Sequence, residues 1–196
     1  RSIIVATGAS ARYLGIPGEE GLVGHGLTAC ATCDGAFYRD VPVCVVGGGD
    51  SACEEAMFLT RFASRVYLIH RRDTLRASKI MAERTLSNEK IFPMWNSTIV
   101  SYKTDDKGEL EAVMLKDVVE GDETELPVKC VFMAIGHTPN TSFLGGSGGP
   151  GRRRLHHPGN RDDGDQDAGI VRRRRRGGSS LPPGHFFRRN GLQRRD

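Results

Sequence analysis

The sequence has no run of 18 apolar residues, so it offers no candidate for a membrane-spanning helix. Regularly spaced cysteines of a secreted disulfide framework are also missing. The five cysteines, an odd number, suit a reducing compartment, and a cytoplasmic location is expected. The chain does not open on a polar terminus but on R-S-I-I-V-A-T-G, a β-rich run ending in Gly. It is therefore expected to begin in mid-domain, with any N-terminal targeting signal out of view. Residues 147–196 contain no Lys, Glu, Thr or Tyr and few apolar positions. Such a stretch is expected to be disordered, because it cannot bury enough surface to fold independently.

What is present divides unevenly. The formal net charge of +4 conceals 15 Lys+Arg against 19 Asp+Glu in residues 1–146, and 13 Arg against 5 Asp in residues 147–196. All the basicity is in the tail, which includes the run Arg172–Arg176. At 196 residues the chain is long enough for one or two domains with a real core.

Hydrophobic patterning predicts an α/β fold. Residues 3–6 read as a short buried strand, and Val41–Val46 as a parallel strand covered on both faces, with Pro42 tolerable only near its start. From Asp50 the spacing of Ala52, Ala56, Leu59 and Phe62 is helical, and Val66–Ile69 is a second apolar strand, which completes a βαβ outline. A second helix is predicted over Ala77–Leu86. Ile99–Val128 alternates around two turns like an antiparallel meander, and Cys130–Ile135 forms a last buried strand ending at Gly136.

Three motifs carry chemistry. Gly47, Gly49 and Ala52 form G-x-G-x-x-A between a strand and a helix, where glycines allow backbone approach to a pyrophosphate and the helix N-terminus stabilises it. The same pattern also occurs in glycine-rich turns that hold no ligand. At the end of the next strand, where an acid would bind the ribose hydroxyl of NAD, stand His70, Arg71 and Arg72, with Arg76 a turn further on. Guanidinium groups hold a 2′-phosphate, so NADPH is favoured over NADH; the alternative is a solvated basic face.

The third motif is Cys30-Ala31-Thr32-Cys33 followed by Asp34. A C-x-x-C pair can close a disulfide and exchange it, with Asp34 moving the proton. Half a zinc site is the alternative, but it needs two more ligands and His25 alone does not complete it. No metal is expected. Cys44, Cys53 and Cys130 lie in apolar surroundings and read as buried small hydrophobes.

In combination, C-A-T-C-D-G, G-G-G-D-S-A, H-R-R-D-x-x-R-A-S-K and A-I-G-H-T-P-N-T, in this order and over residues 1–146, resemble the bacterial-type low-molecular-weight thioredoxin reductases. The resemblance implies a Rossmann-like NADPH-binding domain, with a parallel sheet, helices and a β-meander. It also implies a flavoenzyme in which electrons pass from NADPH through FAD to the C-x-x-C disulfide and on to thioredoxin, the full-length protein being a homodimer. By position, Cys33 is then the thiol facing the flavin, Cys30 the thiol that attacks thioredoxin, and Asp34 the acid/base. NADPH contacts fall to Gly47, Gly48, Gly49, Asp50, Ser51, Ala52, His70, Arg71, Arg72, Arg76, Ile135 and Gly136. Cys33 precedes Gly47 by only 14 residues, so disulfide and nicotinamide sites share one small domain, and a domain rotation between half-reactions is implied.

The expected organisation is residues 1–16 as the end of the first part of an FAD domain, 17–138 as the NADPH-binding domain, 139–146 as the return to the FAD domain, and 147–196 as a disordered, out-of-frame tail. The family's N-terminal FAD half and its later F-A-A-G-D-V segment are both missing from this sequence. That later segment would fall near positions 172–176, where the arginines stand. Permitted codons for Ala168–Arg176, read one base later, spell P-G-L-F-A-A-G-D-V, and the same shift yields family-like sequence over Pro150–Asp163 and Gly177–His185. A single-base frameshift near Gly146 or Ser147 is the expectation, and the chain as written is expected to be an incomplete, inactive fragment. The competing readings are a related flavoprotein disulfide reductase with another partner, and a non-enzymatic NADPH-binding module with a basic arm for nucleic acid.

Overall fold

The computed structural model describes residues 6–140 together with residue 142. The strand expected at 3–6, the end of the return segment 139–146 and the whole tail 147–196, with its proposed frameshift and nucleic-acid readings, lie outside the described residues apart from 6, 139, 140 and 142.

In chain order the elements are β1 (Ala9–Ala11), α1 (Glu19–Leu22), β2 (Leu27–Thr28), α2 (Ala31–Asp34), a 3₁₀ turn (Gly35–Phe37), β3 (Pro42–Val46), α3 (Asp50–Leu59), β4 (Arg65–Ile69), α4 (Lys79–Leu86), β5 (Ile91–Met94), β6 (Ser97–Thr104), β7 (Leu110–Asp117), β8 (Glu123–Pro127), β9 (Val131–Met133) and β10 (His137–Pro139). The fold is α/β, as its patterning predicts. Five parallel strands run in the order β2-β9-β3-β4-β5, and β6-β7-β8 form an antiparallel sheet.

Both faces of the parallel sheet are covered, which is why β3 reads as continuous apolar sequence. Val43 and Val45 point toward Ala52, Ala56 and Leu59 of α3, in one core shared with Val66, Leu68 and Phe132. Cys44 and Val46, one residue out of phase, join Ile99, Val113, Leu115 and Leu126 of the antiparallel sheet in a second core. The result is three layers: helices, parallel sheet and meander.

Three boundaries differ from the sequence expectation. Helix α3 ends at Leu59, and Phe62 lies beyond it, its ring tilted at 60° against Phe58 with centroids 5.4 Å apart. Helix α4 starts at Lys79 rather than Ala77, because the Arg76 and Ala77 N–H groups donate to the Gly48 carbonyl at 2.7 and 3.1 Å and draw the preceding loop out of helical geometry. Strand β9 stops at Met133, and Gly136 at φ 95° turns the chain toward β10.

Strands β1 and β10 pair antiparallel, Ala9 with Pro139 and Ala11 with His137. The segments at either end of the layered region therefore lie side by side, tied further by Ser10 Oγ donating to Asn140 Oδ1 at 2.9 Å and Arg12 Nε to Thr138 Oγ1 at 3.0 Å. Among the described residues no helix is long and apolar enough to cross a membrane.

Candidate functional site

In a parallel α/β sheet, ligands gather outside the carboxyl ends of the strands. That edge receives every predicted motif here: the C-x-x-C pair follows β2, the glycine turn follows β3, His70 and the arginines follow β4, and Ile135–Gly136 follow β9.

Cys30 and Cys33 are joined in a disulfide, with Cα atoms 5.3 Å apart. Cys30 is the residue preceding α2, and its Sγ accepts the Cys33 N–H at 3.2 Å. Cys33 is exposed and Cys30 half-buried. The zinc alternative for the pair lacks partners, since among the described residues no three His, Cys, Asp or Glu side chains are grouped to hold a metal ion.

Asp34 sits against this pair through a closed set of hydrogen bonds. Its N–H donates to the Cys30 carbonyl at 3.1 Å. Its Oδ2 accepts from the Thr28 hydroxyl, and the same Thr28 oxygen accepts the Cys30 N–H at 3.2 Å. Behind Asp34 lie Tyr38 and Cys130, hydrogen-bonded to one another and both sensing the Asp34 charge. Burial, reinforced by Cys130, raises the Tyr38 hydroxyl well above its ordinary range. Burial likewise pushes the Cys130 thiol up to about 12. Thr28, Tyr38 and Cys130 were not singled out by motif; the clue to Thr28 is a hydroxyl residue two positions before a reactive cysteine, where it can bond locally to the backbone.

The glycine turn fits a pyrophosphate. A Cβ on Gly47, which adopts φ 155°, would lie 2.5 Å from the Ala134 carbonyl and 2.7 Å from Ala52 Cβ. A Cβ on Gly48 would land on the His70 ring, whereas on Gly49 it would meet nothing within 4 Å. Gly47 and Gly48 thus pack the turn against strand, helix and histidine, and Gly49 leaves the approach to the α3 N-terminus open. Asp50 is engaged: its Oδ1 accepts the Ser78 N–H at 2.8 Å, tying the start of α3 to the loop before α4. Ser51 and Ala52 continue into the first turn of α3, with Ala52 fully buried.

His70 and the arginines part company. His70 is 6% exposed, edge-on to Trp95 with centroids 6.4 Å apart, and its Nε2 has no hydrogen-bond partner among the described residues. Burial holds it below the usual imidazole range, helped by the Arg76 charge, so at neutral pH it is an uncharged floor beneath Gly48. Arg71, Arg72 and Arg76 are exposed, and none forms an ion pair with the described residues. They are the groups free to meet an anion. Ile135 packs partly buried on the meander-side core, and the Gly136 carbonyl accepts the Arg12 N–H at 3.0 Å.

Residues 1–154 match the family model of the pyridine nucleotide-disulphide oxidoreductases. Over 146 residues the chain is 56% identical to a thioredoxin reductase of Mycolicibacterium smegmatis, covering 74% of this chain and 46% of that protein. It is 51% identical over 147 residues to a bifunctional thioredoxin reductase/thioredoxin of Mycobacterium leprae, covering 74% and 31%. The crystal structure of Lactococcus lactis thioredoxin reductase in its FR conformation superposes with a TM-score of 0.67 at 45% identity, covering 70% of this chain and 46% of that one. The chain spans less than half the length of these relatives.

Proposed function

The chain belongs to the pyridine nucleotide-disulphide oxidoreductase family, and from that membership we propose that it is the NADPH-binding and redox-disulfide portion of a thioredoxin-disulfide reductase. The observation that carries this reading is the arrangement along one sheet edge of a formed Cys30–Cys33 disulfide, an open glycine turn and three exposed arginines that have no ion-pair partner among the described residues.

In this reading the turn Gly47–Ala52 holds the pyrophosphate against the N-terminus of α3. Arg71, Arg72 and Arg76 meet the 2′-phosphate, and His70 supports the turn from below. Bound NADPH supplies a hydride. The family resemblance implies that FAD stands between NADPH and the disulfide. The described residues offer a single glycine-rich strand-to-helix turn, which this reading gives to NADPH, so they provide no cradle for FAD.

For the reduced pair, thiol–disulfide exchange needs only this chain and its substrate. The Cys30 thiolate attacks one sulfur of the substrate disulfide, that bond breaks, and the released substrate thiolate takes a proton. Cys33, losing its own proton to Asp34, then attacks Cys30 Sγ, re-forming Cys30–Cys33 and breaking the bond to the second substrate sulfur, which leaves and takes the proton from Asp34. Two substrate thiols result for one disulfide formed. Thioredoxin as that substrate is supported by the names of the relatives, one of which joins a thioredoxin to the reductase in one protein. A reducing, cytoplasmic setting accords with the free thiols Cys44, Cys53 and Cys130.

A Cys33→Ser variant, with Cys30 free, tests the reading. Mixed with oxidised thioredoxin it should accumulate a mixed disulfide at Cys30, detected as a mass adduct; no adduct with thioredoxin, under conditions where a small aromatic disulfide reacts, overturns the assignment of substrate.

A further inference from the structure

We propose that Thr28 is a positioning residue for the redox pair: its hydroxyl occupies Oδ2 of Asp34 and so leaves Oδ1 as the oxygen that handles the proton. This rests on the reading of Asp34 as the acid/base.

The direction of the hydrogen bonds fixes the assignment. Thr28 Oγ1 accepts the Cys30 N–H at 3.2 Å, and an amide N–H is only a donor. The single hydroxyl proton of Thr28 is then available to Asp34 Oδ2, its partner on the other side. Oδ1 makes no hydrogen bond with the described residues. The carboxyl is thus held at one oxygen and free at the other.

The same contacts join acid and nucleophile mechanically. Cys30 N–H binds Thr28, Thr28 binds the Asp34 side chain, and Asp34 N–H binds the Cys30 carbonyl. Thr28 is the last residue of β2 and pairs with Phe132 of β9, a fully buried residue. One hydroxyl therefore anchors both the backbone of the cysteine and the carboxyl to the rigid sheet. On the far side the groups facing Asp34 are Tyr38 and Cys130, whose raised pKa values keep both uncharged at neutral pH. They supply no competing charge that titrates between about pH 5 and pH 9.

The test uses the full chain and dithiothreitol, and needs neither nicotinamide nor flavin. A dithiothreitol thiolate attacks one sulfur of Cys30–Cys33, the S–S bond breaks, and the departing cysteine thiolate takes a proton. The second dithiothreitol thiol loses its proton and displaces the first cysteine, leaving two protein thiols and a cyclic disulfide. Rates are read by acid quench, alkylation and mass, from pH 5 to pH 9.

Thr28→Val should slow reduction about tenfold at neutral pH, the scale of one lost hydrogen bond to a charged group, and displace the pH profile. Thr28→Ser, which keeps the hydroxyl, should restore both. Thr28→Val added to Asp34→Asn should give no further change beyond Asp34→Asn. Thr28→Ala provides the same comparison if the valine variant fails to fold, and a structural role alone would lower the unfolding midpoint without moving the profile. A Thr28→Val or Thr28→Ala profile that overlays the wild type, with Asp34→Asn altered, refutes this inference alone. An unaltered Asp34→Asn profile refutes the acid–base reading and this inference with it.

Discussion

The Tyr102 hydroxyl donates to Glu19 Oε1 at 2.7 Å, across 83 residues of sequence. Glu19 is only 6% exposed, and its two oxygens also accept the N–H groups of Leu14, Gly15 and Ile16. A side chain of the meander thus reaches a carboxylate that wraps the segment leading out of β1. Replacing Glu19 by Ala strands several donors at once and should cost about 3 kcal/mol. Tyr102→Phe removes one donor and should cost about 1 kcal/mol. Urea unfolding of the two variants checks the ratio.

Gly48→Ala and Gly49→Ala should fail in opposite ways. The first drives a methyl into the buried His70 ring and should destabilise the fold by about 1–3 kcal/mol. The second meets open space and should leave the unfolding midpoint nearly unchanged while weakening NADPH, because the methyl occupies the approach to the pyrophosphate. Thermal unfolding and NADPH fluorescence titration separate the two.

Changing Arg71 or Arg72 to Ala should lower affinity for NADPH by about tenfold, the scale of one charged hydrogen-bond partner, and barely affect NADH. Titration with both nucleotides checks the prediction, and equal losses for the two would show that the guanidinium groups do not read the 2′-phosphate.

Glu55 on α3 has Oε2 buried with no hydrogen-bond partner among the described residues, and burial lifts its carboxyl to about 7. In the unfolded chain it ionises near 4.5. Between these values the folded state holds the proton that the unfolded state has lost, so stability is fully present below about pH 4.5 and falls as pH rises toward 7. Glu55→Gln should abolish that fall and stabilise the protein at pH 8 by on the order of 1 kcal/mol, discounted for partial exposure. Denaturation midpoints of both proteins at pH 4.5 and pH 8 give the comparison.

Mild reduction followed by alkylation at pH 8 should label Cys30 and Cys33 and spare Cys44 and Cys130. Both spared thiols are wholly inaccessible, and burial raises them far above that pH. Peptide mass mapping reports which sites react; label at Cys44 or Cys130 before unfolding would contradict the packing.

The elements that read clearly from the chain are those whose periodicity and burial agree. Val43–Val46 alternates between two cores and is apolar throughout because both are dry. The meander alternates because one of its faces meets water. What escaped pattern reading has a local cause. Strand β5 carries Pro93, which argues against a strand, but it lies at the sheet edge, where a missing donor is tolerated. Strand β2 is two residues long and too short to show a period. His70 stands in a basic cluster, and only the three-dimensional packing shows it turned under Gly48 while its arginine neighbours face out. Thr28 could be suspected from its place before Cys30, but its bond to Asp34 depends on how α2 folds back over the end of β2.

The pairing of Ala9–Ala11 with His137–Pro139 also bears on how such a chain can be assembled. A unit whose entry and exit strands leave as neighbours can be spliced into a host, or excised from one, without stretching the host's backbone across a gap. The two-stranded ribbon brings the two ends of the 125-residue stretch between Ala11 and His137 to one place.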